Sequence, residues 1–416
     1  ATTRPSISDV GEPPSEEGVP DIPDITPPDS QEDYYIKADD TEETIKSKIQ
    51  KYYEKHGIYV ALIDDTKDNI EANGTIEKVN KIINENTYEE GVFLDLSKTD
   101  MTKLADNSFS ENKNLSSVKL PDTLTTIGVG AFSNAQKLAA LNFPYILAEI
   151  GDGAFYGCIS LQRVDLGYTQ IKVISKQSFD NCSKLEEVIL PNGVLTINEK
   201  AFNYCGNLAA INFPSTLIKI GNGAFLSCTS LEEVNLKETK ITILNEQVFN
   251  SCDKLSKVVL PDVLLTIENN VFAYCISLEE ITLPEKFEAI GTFVFAGCSK
   301  LKKVNFNNQI QSIYHYAFYQ CTSLSSISLP SSLKELGKAG GTIFPNSGLV
   351  NVEYLGTDPN AIIIYGNSIF ENSNPQNLYL PNVDDPAISQ SQDNWDNFLG
   401  YNWAGKIHYK TPMPNE

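Results

Sequence analysis

The stretch LAALNFPYILAEIGDGAF, residues 138–155, returns as LAAINFPSTLIKIGNGAF at residues 208–225. Both copies sit inside a shorter period. Phenylalanines recur at 109, 132, 155, 179, 202, 225, 249, 272, 295 and 318, in steps of 23, 23, 24, 23, 23, 24, 23, 23 and 23. A leucine follows each one after six residues, as Leu115, Leu138 and Leu161 do, on to Leu324. Three and five residues later comes an apolar pair such as Val164/Leu166 or Val234/Leu236. The unit reads Leu-x-x-(Val/Ile)-x-(Leu/Phe)-Pro-x-x-Leu-x-x-Ile-x-x-x-Ala-Phe-x-x-Cys-x-x. Ten matches at one period exclude chance, and a leucine-patterned repeat of 20–29 residues specifies a solenoid.

One coil of this length is too small to bury its own apolar face, so stacking must build the core. The Leu-x-x-Val-x-Leu segment alternates as a strand does, and successive coils then form a parallel sheet with a spacing of about 4.8 Å. The expected fold is a right-handed leucine-rich α/β solenoid with a parallel concave β-sheet and about twelve coils. The two 24-residue steps arise where Leu-Pro gives way to Leu166-Gly167-Tyr168-Thr169-Gln170-Ile171 and to Leu236-Lys237-Glu238-Thr239-Lys240-Ile241. These insertions share the offset of the long repeat, which indicates duplication of a three-coil block.

Outward from the repeat, residues 94–336 form the regular solenoid. Residues 337–380 keep the pattern loosely, since Gly337-Lys338-Ala339-Gly340-Gly341 interrupts it and Phe344 and Phe370 come at steps of 26. Residues 381–416 lose the period, hold both tryptophans (Trp395, Trp403), and are read as a C-terminal cap and tail, because a solenoid must cover its last open core. Residues 34–93 predict a small α/β N-terminal cap. Asp40-Thr41-Glu42-Glu43 opens a helix with a capping side chain and acids at the positive dipole end, and Gly57 stops it. A strand at 58–63, a second helix over 75–85 and a strand at 91–96 follow. Residues 1–33 hold nine acids and seven prolines against one arginine. Such a segment cannot bury enough apolar surface to fold, and is read as an extended acidic linker, a tether or an unstructured terminus. With no initiating Met and no signal peptide, the start reads as processed or trimmed.

The formal charge of -22 argues against nucleic-acid binding and against docking on anionic membranes. No apolar run approaches the roughly 20 residues that span a bilayer. The eight cysteines (158, 182, 205, 228, 252, 275, 298, 321) each follow a repeat phenylalanine by three residues. Equivalent residues of stacked coils lie too far apart, with parallel Cα–Cβ vectors, for disulfide geometry, and zinc spacing is absent. Buried free thiols are the favoured reading over disulfides or metal. Three scattered histidines, no P-loop, no Gly-x-Gly-x-x-Gly after a strand, no His-Glu-x-x-His and no Gly-x-Ser-x-Gly leave no catalytic constellation. Neither enzyme activity, a cofactor nor a metal is expected.

Two surfaces are candidates for binding. The first is the concave sheet, whose outward residues flank the middle apolar position of each strand. Ser117 and Ala140 open one column, and Arg163, Asp165, Glu187, Glu233, Asn235, Lys257, Glu280 and Lys303 supply the polar candidates. This is either a solvated face or a polar protein-binding one. The second is Tyr314, Tyr316 and Tyr319, which fall in one coil with His315, while Tyr156, Tyr204 and Tyr274 occupy nearby turn slots in other coils. They suit recognition, or equally packing against the irregular coil that follows.

Ala-Phe-x-x-Cys-x-x-Leu-x-x-Val-x-Leu-Pro resembles the BspA-like class of bacterial leucine-rich repeat proteins, over about residues 92–380. Leu94-Asp95-Leu96-Ser97 is similar to the first strand of its surface-associated members. Asn112 and Ala135 depart from the cysteine column. The resemblance implies an exported or cell-surface protein, with a lipid anchor on the full-length form as one means of attachment. It implies adhesion to host, matrix or bacterial surface proteins, and it carries no defined site residues. The expected function is therefore a non-enzymatic protein-binding adhesin. The rival is a glycan-binding component of nutrient capture, against which the lack of aromatics on the concave columns speaks.

Overall fold

The computed structural model describes residues 33–414, so the acidic linker, apart from Asp33, lies outside the described residues. The N-terminal part runs β1 (Tyr35–Ile36), α1 (Glu42–His56), β2 (Tyr59–Ile63), α2 (Lys67–Asn73), α3 (Thr75–Glu85) and β3 (Val92–Asp95). Thr41 caps α1 by accepting from the Thr44 N–H, and Gly57 ends it with a left-handed φ of 75°. The chemistry at both ends is as the sequence implies. Two elements are additional. Helix α2 has a single buried anchor, Ile70, and so shows no apolar period. Strand β1 is only two residues long.

These strands do not form a separate sheet. They pair in parallel, β1 with β2 and β2 with β3, and β3 then pairs with Leu115–Lys119 of the first coil. The cap thus starts the solenoid's own hydrogen-bonded ladder. Each later coil contributes one strand to this side, as Arg163–Asp165, Glu187–Ile189 and Glu233–Asn235 do, and the last is Ile407–Tyr409; the strand pairing is interrupted along it, so this first ladder is a succession of short parallel sheets. Its middle residues (Val164, Val188, Val234, Ile281) point inward and are buried. A second ladder of short strands, such as Thr196–Ile197 and Thr266–Ile267, buries its isoleucines from another side.

The third side is built on the phenylalanine column. Twelve rings, from Phe109 to Phe370, stack with centroids 5.2–5.8 Å apart and planes within 17° of parallel. Phe344 keeps its place because strand Glu335–Lys338 shifts register against Ser312–Tyr314 and residues 339–341 turn out, and Phe370 keeps its place because the extra residues of its coil lie between Tyr354 and Ile363. The backbone bonds coil to coil here, as from Phe155 N to Ser178 O at 2.8 Å. The longer coils share one device. Thr169 and Thr239 are buried, and each donates its hydroxyl to the carbonyl of Leu166 or Leu236. Thr99 does the same to Leu96 in the first coil.

All eight cysteines are free and buried. Each S–H donates to the carbonyl of the ladder phenylalanine one coil earlier, as Cys158 to Phe132 at 3.1 Å and Cys228 to Phe202 at 3.2 Å. Burial pushes these thiols far above their ordinary range.

The first coil has no preceding phenylalanine. Asn112 stands in its cysteine slot and bonds instead to Asn80 of α3, with Nδ2 donating to Oδ1 at 2.7 Å. That is the physical reason for one departure from the repeat. At the other end Trp403, fully buried, sets its ring at 90° to Phe370 at 5.8 Å and closes the stack. One continuous core therefore runs from Ile36 to Trp403.

Candidate functional site

The outer face of the first ladder is set by strand alternation. With Val164, Val188 and Val234 inside, the residues on either side must point out. Parallel pairing in register then puts equivalent residues of neighbouring coils side by side: Arg163 beside Glu187, Glu233 beside Lys257, Glu280 beside Lys303.

Each of these neighbours is an ion pair. Arg163 Nε donates to Glu187 Oε2 at 2.7 Å, and its Nη2 reaches Asp165 Oδ2 at 3.3 Å. Lys257 Nζ lies 2.6 Å from Glu233, and Lys303 Nζ lies 3.6 Å from Glu280. Asp165 and Asn235 have a second duty, since their side chains accept from the backbone N–H of Gly167 and Lys237. The lysine and glutamate side chains are about half exposed or more, so each pair contributes only about 0–1 kcal/mol to stability. The pairs leave the face electrically mixed.

The column does not begin where the spacing put it. Ser117 and Ala140 are buried, at 6% and 7% exposure. They occupy the rungs in register with Phe93 of β3, next to the cap, whose second apolar cluster of Tyr34, Tyr52, Val60, Leu62 and Phe93 covers this end.

The face also extends further than the regular period reveals. Asn351 donates to Ser326, Asn377 donates to Asn351 at 2.9 Å, and His408 Nε2 lies 3.0 Å from Asn377 Oδ1. Glu353 accepts from Ser328 and from the Met413 N–H. The 26-residue steps hid these positions. The alternation in Asn351-Val352-Glu353-Tyr354 was the available signal.

The three tyrosines are divided. Tyr314 belongs to the second ladder, 5.9 Å from the Lys338 ammonium, which pairs with Glu335. Tyr316 meets Tyr319 at 5.5 Å and Phe293 at 5.0 Å on the third side. His315 lies against Tyr316, and a Cβ on Gly340 would strike its ring. The irregular loop thus covers part of this cluster.

Elsewhere, a shallow polar groove is lined by Asp152, Lys176, Glu199, Lys219 and Asn245. Two of its charges are already engaged, with Lys176 paired to Glu199 at 3.2 Å, and Asp152 accepts from the Lys176 N–H. Among the described residues, no three or more His, Cys, Asp or Glu side chains group as metal ligands. No helix among them is long and apolar enough to cross a membrane.

Comparison with known proteins agrees with the repeat. The family model described as BspA type leucine rich repeat region matches in six copies over residues 102–232, 195–319 and 289–386. A search of curated protein sequences found no match. Among solved structures, a leucine-rich repeat protein from Bacteroides ovatus is 24% identical, over 58% of this chain and 79% of that one, with a TM-score of 0.36. A leucine rich cell surface protein from Faecalibacterium prausnitzii is 22% identical over 75% and 84%, with a TM-score of 0.42. The pneumococcal vaccine antigen PcpA is 18% identical over 78% and 79%, with a TM-score of 0.38. With TM-scores this low, family membership rests on the repeat match and on the stacked coils that embody it. This chain belongs to the BspA type leucine rich repeat family.

Proposed function

We propose that this protein is a non-enzymatic interaction module, secreted or held at a bacterial surface, that works as an adhesin for host, matrix or bacterial surface proteins. The observation that carries this reading is the in-register outer column of the first ladder. It repeats exposed charged and amide side chains coil after coil on one continuous core. A long face of this kind offers many weak polar contacts along its length, which suits an extended protein partner. The net charge of -22 favours basic partners and makes the association weaken as salt rises. The acidic proline-rich residues 1–33 supply the tether in this reading.

The test is binding of the full chain to a panel of matrix, host-surface and bacterial surface proteins, with a glycan array in parallel. The expected result is saturable binding to at least one protein, reduced by Lys257→Glu with Lys303→Glu at nearly unchanged thermal stability. Tight glycan binding with no protein binding would transfer the assignment to nutrient capture. Turnover of any substrate would remove both.

A further inference from the structure

The third side of the solenoid changes character over three successive coils. In every coil from Phe109 to Phe318, the residue two before the ladder phenylalanine and the residue two after it have left-handed backbone. Most of these slots hold Asn, Gly, Gln, Ser or Lys. A bulky ring is a poor occupant, because the left-handed conformation crowds Cβ against the carbonyl. Tyr204 takes one such slot alone, whereas Tyr274, Phe293 and Tyr316 take them in consecutive coils, with φ of 61°, 57° and 55°.

Of the three rings, Tyr274 is exposed, and Phe293 and Tyr316 are half-buried. Tyr274 is 49% exposed and lies across Gly297, where a Cβ would come within 2.6 Å of its ring. Gly297 in turn donates its N–H to the Tyr319 carbonyl at 2.7 Å. Tyr319 meets Tyr316, and Tyr316 meets Phe293. At Tyr274 an exposed ring on strained backbone favours neither the backbone nor the core, so an outlier of this kind points to a role outside stability.

The surroundings say what kind of ligand fits. Take the window from three residues before to four after the ladder phenylalanine. In the coils of Phe272, Phe295, Phe318 and Phe344 it contains no Asp, Glu, Lys or Arg, in a chain of net charge -22. The polar groups there are mainly amides and hydroxyls. The side chains of Asn270 and Gln320 and the Tyr274 hydroxyl make no hydrogen bond to another described residue.

We propose that this aromatic, amide-rich face is a binding platform for neutral pyranose rings. A sugar ring presents an apolar C–H face that stacks on an aromatic ring. Its hydroxyls need donors and acceptors together, which primary amides and phenols provide. A neutral ligand needs no counter-charge; the windows themselves hold none, and the carboxylates at their edges, Glu246 and Glu371, are held by Asn269 and Thr342. This goes beyond the protein-binding reading and lies on a different side of the solenoid from the charged columns.

The probes are neutral cello-, xylo- and manno-oligosaccharides, screened on an array and then titrated by calorimetry. The variant is Tyr274→Asn with Tyr316→Asn. Asparagine tolerates left-handed backbone and already fills the same kind of slot at Asn134 and Asn270. Its melting temperature should therefore hold or rise, and Tyr274→Asn alone serves as the mildest control. At least one neutral class is expected to bind the natural chain, with affinity insensitive to salt, and to lose about tenfold or more in the double variant. The proposal is overturned if no neutral oligosaccharide binds at millimolar concentration, if the variants bind as the natural chain does, or if a proline-rich peptide takes the platform instead.

Discussion

Truncating Phe225 to alanine probes the whole fold. Phe225 is fully buried between Phe202 at 5.4 Å and Phe249 at 5.5 Å, with Phe213 edge-on at 5.7 Å. Losing a buried phenylalanine costs about 3–5 kcal/mol, more where the site cannot collapse. Collapse is blocked here, because Phe202 N bonds to Ala224 O and Phe225 N bonds to Val248 O, both at 2.9 Å. Those backbone bonds hold the flanking rings apart. Two stacked contacts are lost as well, each worth about 0.5–1.5 kcal/mol beyond the area term. The cost should fall in the upper half of the range, about 4–5 kcal/mol. Because coils interact with their nearest neighbours, the damage should spread from that coil to the next ones. Hydrogen exchange is the appropriate assay, since a long array need not melt in two states. Amides of Phe202, Phe225 and Ser227 should lose protection first, while those near Phe109 and Phe318 keep theirs. An effect no larger than that of the exposed substitution Glu232→Ala would refute the assignment of this column to the core.

Three further outcomes are expected. Native protein should react slowly with a thiol reagent and denatured protein should show close to eight thiols, because burial raises every cysteine and hides it; four or fewer without reductant would mean ladder disulfides. Asp180 is buried and its carboxyl is raised by that burial, against the lowering effect of its bonds from Gln177 and Asn203. A folded value above the unfolded one gives stability that is full below the unfolded pKa and is lost as pH rises through the folded value. Asp180→Asn should therefore be more stable than the natural chain near neutrality, with the advantage shrinking in acid, and a gap that widens in acid would contradict the burial argument. Finally, exchanging Glu233→Lys with Lys257→Glu should leave the melting temperature within about a degree or two, whereas Lys257→Glu alone, which sets two glutamates side by side, should lower it slightly; equal effects would show that the pair contributes nothing.

The period of the phenylalanine and leucine columns was enough to specify the coils, since a fixed step with one inward face admits only stacking. It also fixed which side of each strand is outside, so Arg163, Glu187, Glu233 and Lys257 were readable as a column. Their mutual pairing needs the coil-to-coil register, which the period implies but the single chain does not display. Ser117 and Ala140 were misplaced because burial by the cap is a contact between distant parts of the chain. Helix α2 and strand β1 were missed because one buried isoleucine, or two residues, makes no pattern. The tyrosines were grouped by sequence proximity, yet two residues of separation carry Tyr314 and Tyr316 around a corner onto different sides of the solenoid. Tyr274 was readable as a turn-slot tyrosine, but its place beside Phe293 and Tyr316 was not. Their significance lies in a backbone conformation that only the folded turn imposes.

The most direct measurement for the proposed binding face is a lysine footprint of the chain in complex with the protein that the binding panel selects. Amine acylation followed by mass spectrometry reads Lys257 and Lys303 on the first ladder and Lys219 and Lys240 away from it, all four exposed in the free protein. The expected result is protection of Lys257 and Lys303 on binding, with Lys219 and Lys240 labelled as before. Protection of Lys219 and Lys240 with Lys257 and Lys303 still labelled would contradict the assignment of the first ladder as the binding face.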